Sequence, residues 1–300
     1  MLKIAYSPIY QHPLPEGHRF PMIKYELIPE QLLYEGTCSQ DQFFEPKPVD
    51  EAWITRTHQP AYWQALKSLS LDPKMIRRIG FPLNEQLVLR ETIITQGTID
   101  CTRFAFESGV SMNVAGGTHH AYSDKGEGFC LLNDVAVASN YLIDKGLAKK
   151  ILVIDLDVHQ GNGTAEIFAN EPRVFTFSIH GKENYPLHKE ISDWDIELPT
   201  YTQDDVYLNI LYDTLPILFK RVKPDFLFFV SGVDILASDK LGKLSVSMQG
   251  CYRRDELVFE YAKSYQLPIV VAMGGGYSPR IADIVEAHCN TFRLAQKMYF

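Results

Sequence analysis

Cysteine is scarce and never arranged for cross-linking. The five, Cys38, Cys101, Cys130, Cys251 and Cys289, are odd in number, scattered, and form no C-x-x-C pair. Neither a disulfide framework nor a cysteine zinc site is expected, and the thiols are read as reduced. No uncharged apolar run reaches the roughly 18 residues needed to cross a bilayer. The opening MLKIAYSPIYQHPLPEGHRF lacks the basic and long apolar regions of a secretion signal, so a place in the cytoplasm and no membrane partner are expected. An excess of positive charge is missing too. With 29 Lys and Arg against 37 Asp and Glu the net charge is −8. Nucleic acid is therefore a poor partner, because that affinity comes mainly from cations neutralising phosphates. Internal repeats, low-complexity tracts and Ser/Gly linkers are absent, and residues 1–300 are read as one domain.

What is present is a core-forming composition, 46% hydrophobic and 12% aromatic, ample for a deep interior and for pocket walls. Residues 11–50 read as loops and a short helix. From Asn84 to Gly109 the apolar spacing of Leu87, Ile93, Ile94 and Phe104 predicts a helix stopped by the glycine. Beyond it, apolar runs alternate with helical patterns, the signature of an α/β protein with a mostly parallel sheet. The expected strands are 111–117, 151–158, 174–179, 226–232 and 268–276. Helices are expected from about Asn133, Thr164, Asp204, Gln249 and Ser278, where Ser278-Pro279 reads as a cap and first turn. Pro216 predicts a kink or break in the fourth of these.

In open parallel sheets the ligand crevice lies beyond the carboxyl ends of the strands. Polar residues gather there: His119 and His120 after the first run, Asp155, Asp157 and His159 closing the second, Asp234 after the fourth, Tyr277 after the fifth. On an extended backbone, residues 155, 157 and 159 share a face. A lone Asp at a strand end is more often a helix cap, but two carboxylates and an imidazole in D-x-D-x-H cost too much desolvation unless a cation compensates. Asp157 and His159 are the better-placed metal ligands, Asp155 lying a step deeper. Asp234 is the best third ligand, with Asp239 in the same segment read as an ordinary turn residue. Tandem histidines after a Gly-Gly turn suggest paired proton carriers, with Asp155 free to fix the tautomer of one. Tyr277 follows three glycines that permit close backbone approach to a ligand. Gly275 and Gly276 are accordingly counted with the substrate-binding residues, and the phenol is read as a donor to an oxyanion or as a core residue.

The segments GGTHHAYSDKGEGFCLLNDVAVA, DLDVHQGNGT, GVDILASDKLGKLSVS and GGGY closely resemble, in order and spacing, the motifs of zinc-dependent histone deacetylases and their bacterial relatives. The resemblance implies a single-domain arginase/deacetylase-like fold with its active site at the strand ends. HQGNG, LGKLSVSMQG and RRDELVF look most like the class IV branch. By the resemblance, Asp157, His159 and Asp234 hold Zn2+. His120 is the general base and acid, His119 its companion held by Asp155, and Tyr277 the oxyanion donor. Gly128, Phe129 and Tyr185 line a tunnel for the acyl-lysine stem. A potassium ion near Asp155, Asp157, His159 and Ser178 is also implied. Cys130, beside Phe129, reads as buried rather than nucleophilic. Two departures stand out: Asn162 replaces an Asp that class I members place against the second histidine, and no Asp occurs between Pro73 and Gln86 to clamp a substrate backbone. Acetylpolyamine hydrolysis, a non-catalytic acyl-lysine reader and a two-manganese ureohydrolase are the rival readings. Gln160, Asn162 and Ile235 do not supply the carboxylates that the last requires.

Overall fold

Runs of Val, Ile, Leu and Phe without polar alternation form strands that are buried on both faces. The computed structural model, which describes residues 1–300, contains one parallel sheet of eight strands, five of them buried throughout. In chain order the elements are β1 (Lys3–Ala5), α1 (Lys24–Tyr34), β2 (Phe43–Phe44), α2 (Glu51–Thr57), α3 (Pro60–Lys67), α4 (Pro73–Ile79), α5 (Glu85–Ser108), β3 (Val110–Asn113), α6 (Asp134–Asp144), β4 (Ile151–Asp155), α7 (Asn162–Phe168), β5 (Val174–Gly181), β6 (Trp194–Leu198), α8 (Asp204–Val222), β7 (Phe226–Val230), α9 (Met248–Ser264), β8 (Ile269–Ala272) and α10 (Ile281–Tyr299). The sheet order is β2-β1-β3-β8-β7-β4-β5-β6.

That order locates the site. From β4 the chain winds outward through β5 to β6, whereas from β7 it winds the other way to β8. Neighbours β4 and β7, in register from Ile151–Phe226 to Asp155–Val230, flank the point where the winding reverses. Loops leaving the two strands diverge there and open a crevice at their carboxyl ends.

Several expectations are corrected by local physics. The second strand stops at Asp155, so Asp157 and His159 stand in the loop beyond it and not on a shared strand face. The other expected strands also stop before their glycines, at Asn113, Val230 and Ala272. Helix α8 runs unbroken through Pro216. The proline lies on the exposed face, as does Tyr212 four residues earlier, whose carbonyl loses its helical donor where water can replace it. Ser278 does not cap α10: the helix starts at Ile281 behind Arg280, and the Ser278 hydroxyl meets that of Ser238 at 2.9 Å. Strands β1, β2 and β6 were not expected; the first two are only three and two residues long, and β6, WDIEL, is a polar edge strand. The helix starts near Asn133 and Asn84 hold as read, and both asparagines cap their helices, accepting from Ala136 and Leu87 N–H groups; Gly109 ends α5 in the left-handed conformation.

Between α2 and the site, buried His58 donates from Nδ1 to the Tyr122 carbonyl at 2.9 Å and accepts at Nε2 from Asn133 N–H at 3.0 Å. Only the neutral ring makes both bonds, and burial pushes its pKa down to about 4. The unfolded chain takes up this proton near pH 6.5, so the contribution to stability is full above that value. It is lost as pH falls toward 4, by about 3 kcal/mol in all. Urea midpoints should show wild type ahead of His58→Gln at pH 7, with the gap closing as pH is lowered to 4. A gap that stays constant over that range would contradict this account.

Candidate metal centre and active site

The centre is built from the loops after β4 and β7. Asp157, His159 and Asp234 are buried, and one ligand atom from each lies within 4.8 Å of the others. His159 Nδ1 is 3.0 Å from Asp157 Oδ1 and 3.1 Å from Asp234 Oδ2. Backbone donors fix the carboxylates from behind: Gly275 N–H to Asp157 Oδ2 at 2.7 Å, His159 N–H to Asp157 Oδ1 at 2.9 Å, and Val158 N–H to Asp234 Oδ1 at 3.0 Å. Burial, and next the charge of Asp157, pushes the Asp234 carboxyl up to about 7. Two carboxylates this close and this dry repel unless a cation sits between them, and two oxygens with an imidazole nitrogen are a donor set that suits zinc. The glycines make the approach possible. A Cβ at Gly232 would stand 2.1 Å from Asp157 Oδ2, and one at Gly275 2.0 Å from Asp234 Oδ2.

The tandem histidines lie beside this cluster, their rings 4.2 Å apart between centroids, and they have unlike partners. His119 Nδ1 meets Asp155 Oδ2 at 2.7 Å, as the sequence reading paired them. Burial opposes its charge, but Asp155 and Asp157 outweigh that and hold the imidazole up to about 9. His120 Nδ1 meets Asn162 Oδ1 at 2.6 Å. Burial and then the neighbouring His119 and His159 push its pKa well below the usual range, so its ring is neutral. Asn162 is itself held, its Nδ2 donating to Glu127 Oε1 at 2.7 Å and to the Tyr122 hydroxyl at 3.0 Å. Both amide hydrogens are thereby spoken for, and the oxygen must face His120. His120 therefore donates from Nδ1 and keeps the Nε2 lone pair free.

Tyr277 closes the other side. Its ring centroid is 6.3 Å from that of His159 and 5.9 Å from that of Phe129. Burial, then Asp234 and Asp157, raise its phenol well above the ordinary value, which keeps it a proton donor. A cavity of about 180 Å³ opens to solvent in front of the cluster, lined among others by His120, Gly128, Phe129, His159, Tyr185 and Tyr277. Phe129 is held at φ +69 and Gly128 at φ +57, where a Cβ would come 2.6 Å from His120. The Tyr185 ring stands edge-on to His120 with centroids 5.1 Å apart. Gly275 lies at the metal cluster, whereas Gly276 faces Val233 and Ile284. Ser178 pairs in register with Asp155, and its hydroxyl is 2.9 Å from His180 Nδ1. Cys130 is buried, with its thiol pushed well up by that burial.

Some residues that build the site were not found from sequence. Asp239, read as a turn residue, does accept from Leu241 and Gly242 N–H groups, but its Oδ2 also takes the Tyr277 N–H at 2.6 Å. Arg254 on α9 donates to the carbonyls of Leu156 at 3.0 Å and Gly232 at 2.6 Å, tying together the two loops that carry Asp157, His159 and Asp234. Lys24, wholly buried, donates to the Gly274 carbonyl at 3.1 Å and stands 5.8 Å from the Tyr277 ring centre. Glu127 had a signal, its place beside the tunnel glycine in GEGFC. Arg254 lies in RRDELVF, noted only for its resemblance and given no role, and Lys24 had no signal, being a single cation in a helix.

Comparison with known proteins agrees with this geometry. The histone deacetylase domain family matches residues 18–292. An uncharacterized protein of Picosynechococcus is 44% identical over 296 residues, covering 99% of both chains. Histone deacetylase 2 of Arabidopsis thaliana is 26% identical over 277 residues, covering 89% of this chain and 72% of its own. A crystal structure of an HDAC homologue complexed with SAHA superposes with a TM-score of 0.84 at 23% identity, covering 97% of this chain and 82% of that one. The eight-stranded parallel sheet with the buried cluster at its winding reversal thus has the arginase/deacetylase-like fold, and the chain belongs to the histone deacetylase family.

Proposed function

We propose that this protein is a zinc-dependent, class IV-like hydrolase that removes acetyl or longer acyl groups from the ε-amine of lysine in proteins or peptides. Residues 1–300 serve as one catalytic domain, acting in the cytoplasm. The observation that carries the reading is the buried cluster of Asp157, His159 and Asp234 facing a neutral His120 and the Tyr277 phenol across one cavity. No helix is long and apolar enough to cross a membrane. A single continuous sheet from β2 to β6 supports one folding unit.

Asp157, His159 and Asp234 would hold the zinc, which when bound polarises the acyl carbonyl and acidifies water. His120 Nε2 accepts the proton of the attacking water, since its Nδ1 is committed to Asn162. Tyr277 donates its hydroxyl hydrogen to the oxygen that gains charge at the carbonyl carbon. The C–N bond then breaks, and protonated His120 gives its proton to the departing amine, leaving a free amine and a carboxylate. His119, kept cationic by Asp155, disfavours a second resting positive charge on His120 and so keeps the base available. Phe129 and Tyr185 exclude water around an aliphatic stem.

Zinc-loaded protein should release acetate from an acetyl-lysine peptide. Tyr277→Phe should lower kcat on the order of a hundredfold with little change in KM, as expected for a donor used mainly in the transition state. Asp157→Ala should lose bound zinc by metal analysis as well as turnover. Turnover by Asp157→Ala equal to wild type would refute the metal assignment.

The Glu127–Asn162–His120 chain gives a second test. With Glu127→Gln the Asn162 amide no longer has a fixed direction and can present its NH2 to His120, favouring the wrong tautomer. Expected is a fall in kcat on the order of tenfold at constant zinc content, with KM little changed. Unaltered kcat in this variant would show that the amide needs no such anchor.

A further inference from the structure

Eight of the twelve arginines have a carboxylate partner: Arg56, Arg90, Arg103, Arg173, Arg253, Arg254, Arg280 and Arg293. In a chain of net charge −8 that is the expected fate of a guanidinium. Two of the four that remain, Arg19 and Arg78, line the cavity in front of the metal cluster, and no carboxylate is among the residues lining it. Both are exposed, and both stand against the tunnel wall, Arg19 through its side chain and Arg78 through its backbone. The Arg19 guanidinium lies 5.0 Å from the centre of the Phe129 ring. Its neighbour His18 donates from Nε2 to the Gly80 carbonyl at 2.8 Å and accepts at Nδ1 from Phe20 N–H at 3.1 Å, which fixes the segment. Arg78 sits in the last turn of α4, where its carbonyl accepts from Gly128 N–H at 3.0 Å and that of Ile79 from Phe129 N–H at 2.7 Å.

The charge does not end at the mouth. A surface groove of about 230 Å³ shares Arg78 with it and is lined also by Lys74, Lys125 and Asp72. Asp72, the one acid there, is occupied as the cap of α4, its Oδ1 accepting from Lys74 N–H at 2.6 Å. A cationic strip thus leads outward from the place where an acyl-lysine stem would enter, and α4 itself, PKMIRRI, contains no acid.

We infer that Arg19 and Arg78, with Lys74 and Lys125 beyond them, select polypeptide substrates carrying acidic side chains beside the acylated lysine. This rests on the acyl-lysine reading above and narrows it. A flanking carboxylate would find two guanidinium groups at the cavity mouth that no carboxylate lining it occupies, suited to bidentate contact. A polyamine, carrying further ammonium groups along its chain, would bring them against the same cations and be disfavoured. The missing loop Asp between Pro73 and Gln86 fits the same picture: the segment that lacks it presents cations to the substrate instead.

The test is binding by fluorescence anisotropy at low salt, with labelled acetyl-lysine peptides that differ only in flanking Asp, Gln or Lys. Wild type and R19E/R78E are compared, with hydrolysis of the Gln-flanked peptide by zinc-loaded wild type followed in parallel. Expected is a wild-type preference for Asp over Gln flanks on the order of five- to tenfold. It should shrink as ionic strength rises, fall partway in R19Q and R78Q, and reverse in the double variant. Equal affinities in wild type, or a preference that survives in R19E/R78E, would overturn the inference. Failure of wild type to hydrolyse the Gln-flanked peptide would instead count against the deacylase reading, because the binding order is measured without turnover.

Discussion

Two carboxylates, Asp157 and Asp234, come from loops that leave neighbouring strands in different directions and are brought against one imidazole nitrogen, away from water. Each would be more stable apart and solvated. The surroundings are arranged to prevent that. Three backbone N–H groups bind the carboxylate oxygens that face away from the cluster or share it, and glycines at 232 and 275 leave the space a side chain would occupy. The desolvation that makes the pair costly would also favour a divalent cation between them, since little water remains to compete.

Holding the loops requires a second expensive group. Arg254 is buried with its charge met by Asp255, whose other oxygen accepts from the Thr291 hydroxyl at 2.7 Å. Its remaining donors go to the backbone of the β4 and β7 loops. Helices α9 and α10, remote from the chemistry in sequence, are in this way tied to the positions of Asp157 and Asp234. Asp239 acts similarly on the fourth wall, its carboxylate joining the 241–242 turn to the backbone of Tyr277. The reactive side chains are thus held by neighbours that themselves make few or no contacts with the cavity.

Legibility in the sequence followed the range of the interactions. Asp157 and His159 could be named because desolvation makes D-x-D-x-H after an apolar run improbable without a ligand, a cost visible within a few residues, and Asp234 because it follows another apolar run. The face-sharing argument behind it was wrong in detail, since β4 ends at Asp155 and the convergence is produced by a turn in which His159 N–H bonds Asp157. The helix starts near Asn84 and Asn133 and the Gly109 stop are local and were readable. Ser278-Pro279 shows the limit of such signals, because the Tyr277 N–H bond to Asp239 and the Ser238 contact fix that stretch by tertiary constraints before the helix can begin. Arg254, Lys24 and Glu127 act on partners 22, 250 and 35 residues away along the chain, and apart from the neighbouring Asp255 that meets the Arg254 charge, the residues beside them do not record those partners.

The unlike partners of the two histidines give the two rings different charge states in one crowded place, which the proposed proton transfer by His120 requires. A carboxylate against each ring would favour the protonated form of both, and a protonated His120 could not accept from water. With Asp155 on His119 and the Asn162 oxygen on His120, charge is assigned to the first ring and orientation alone to the second. Glu127 stands one residue farther out, touching His120 only through the amide it aligns. The neutral link therefore does the geometric work of an aspartate while leaving His120 nearer the neutral state, and the substitution at Asn162 is consistent with a working base rather than a decayed one.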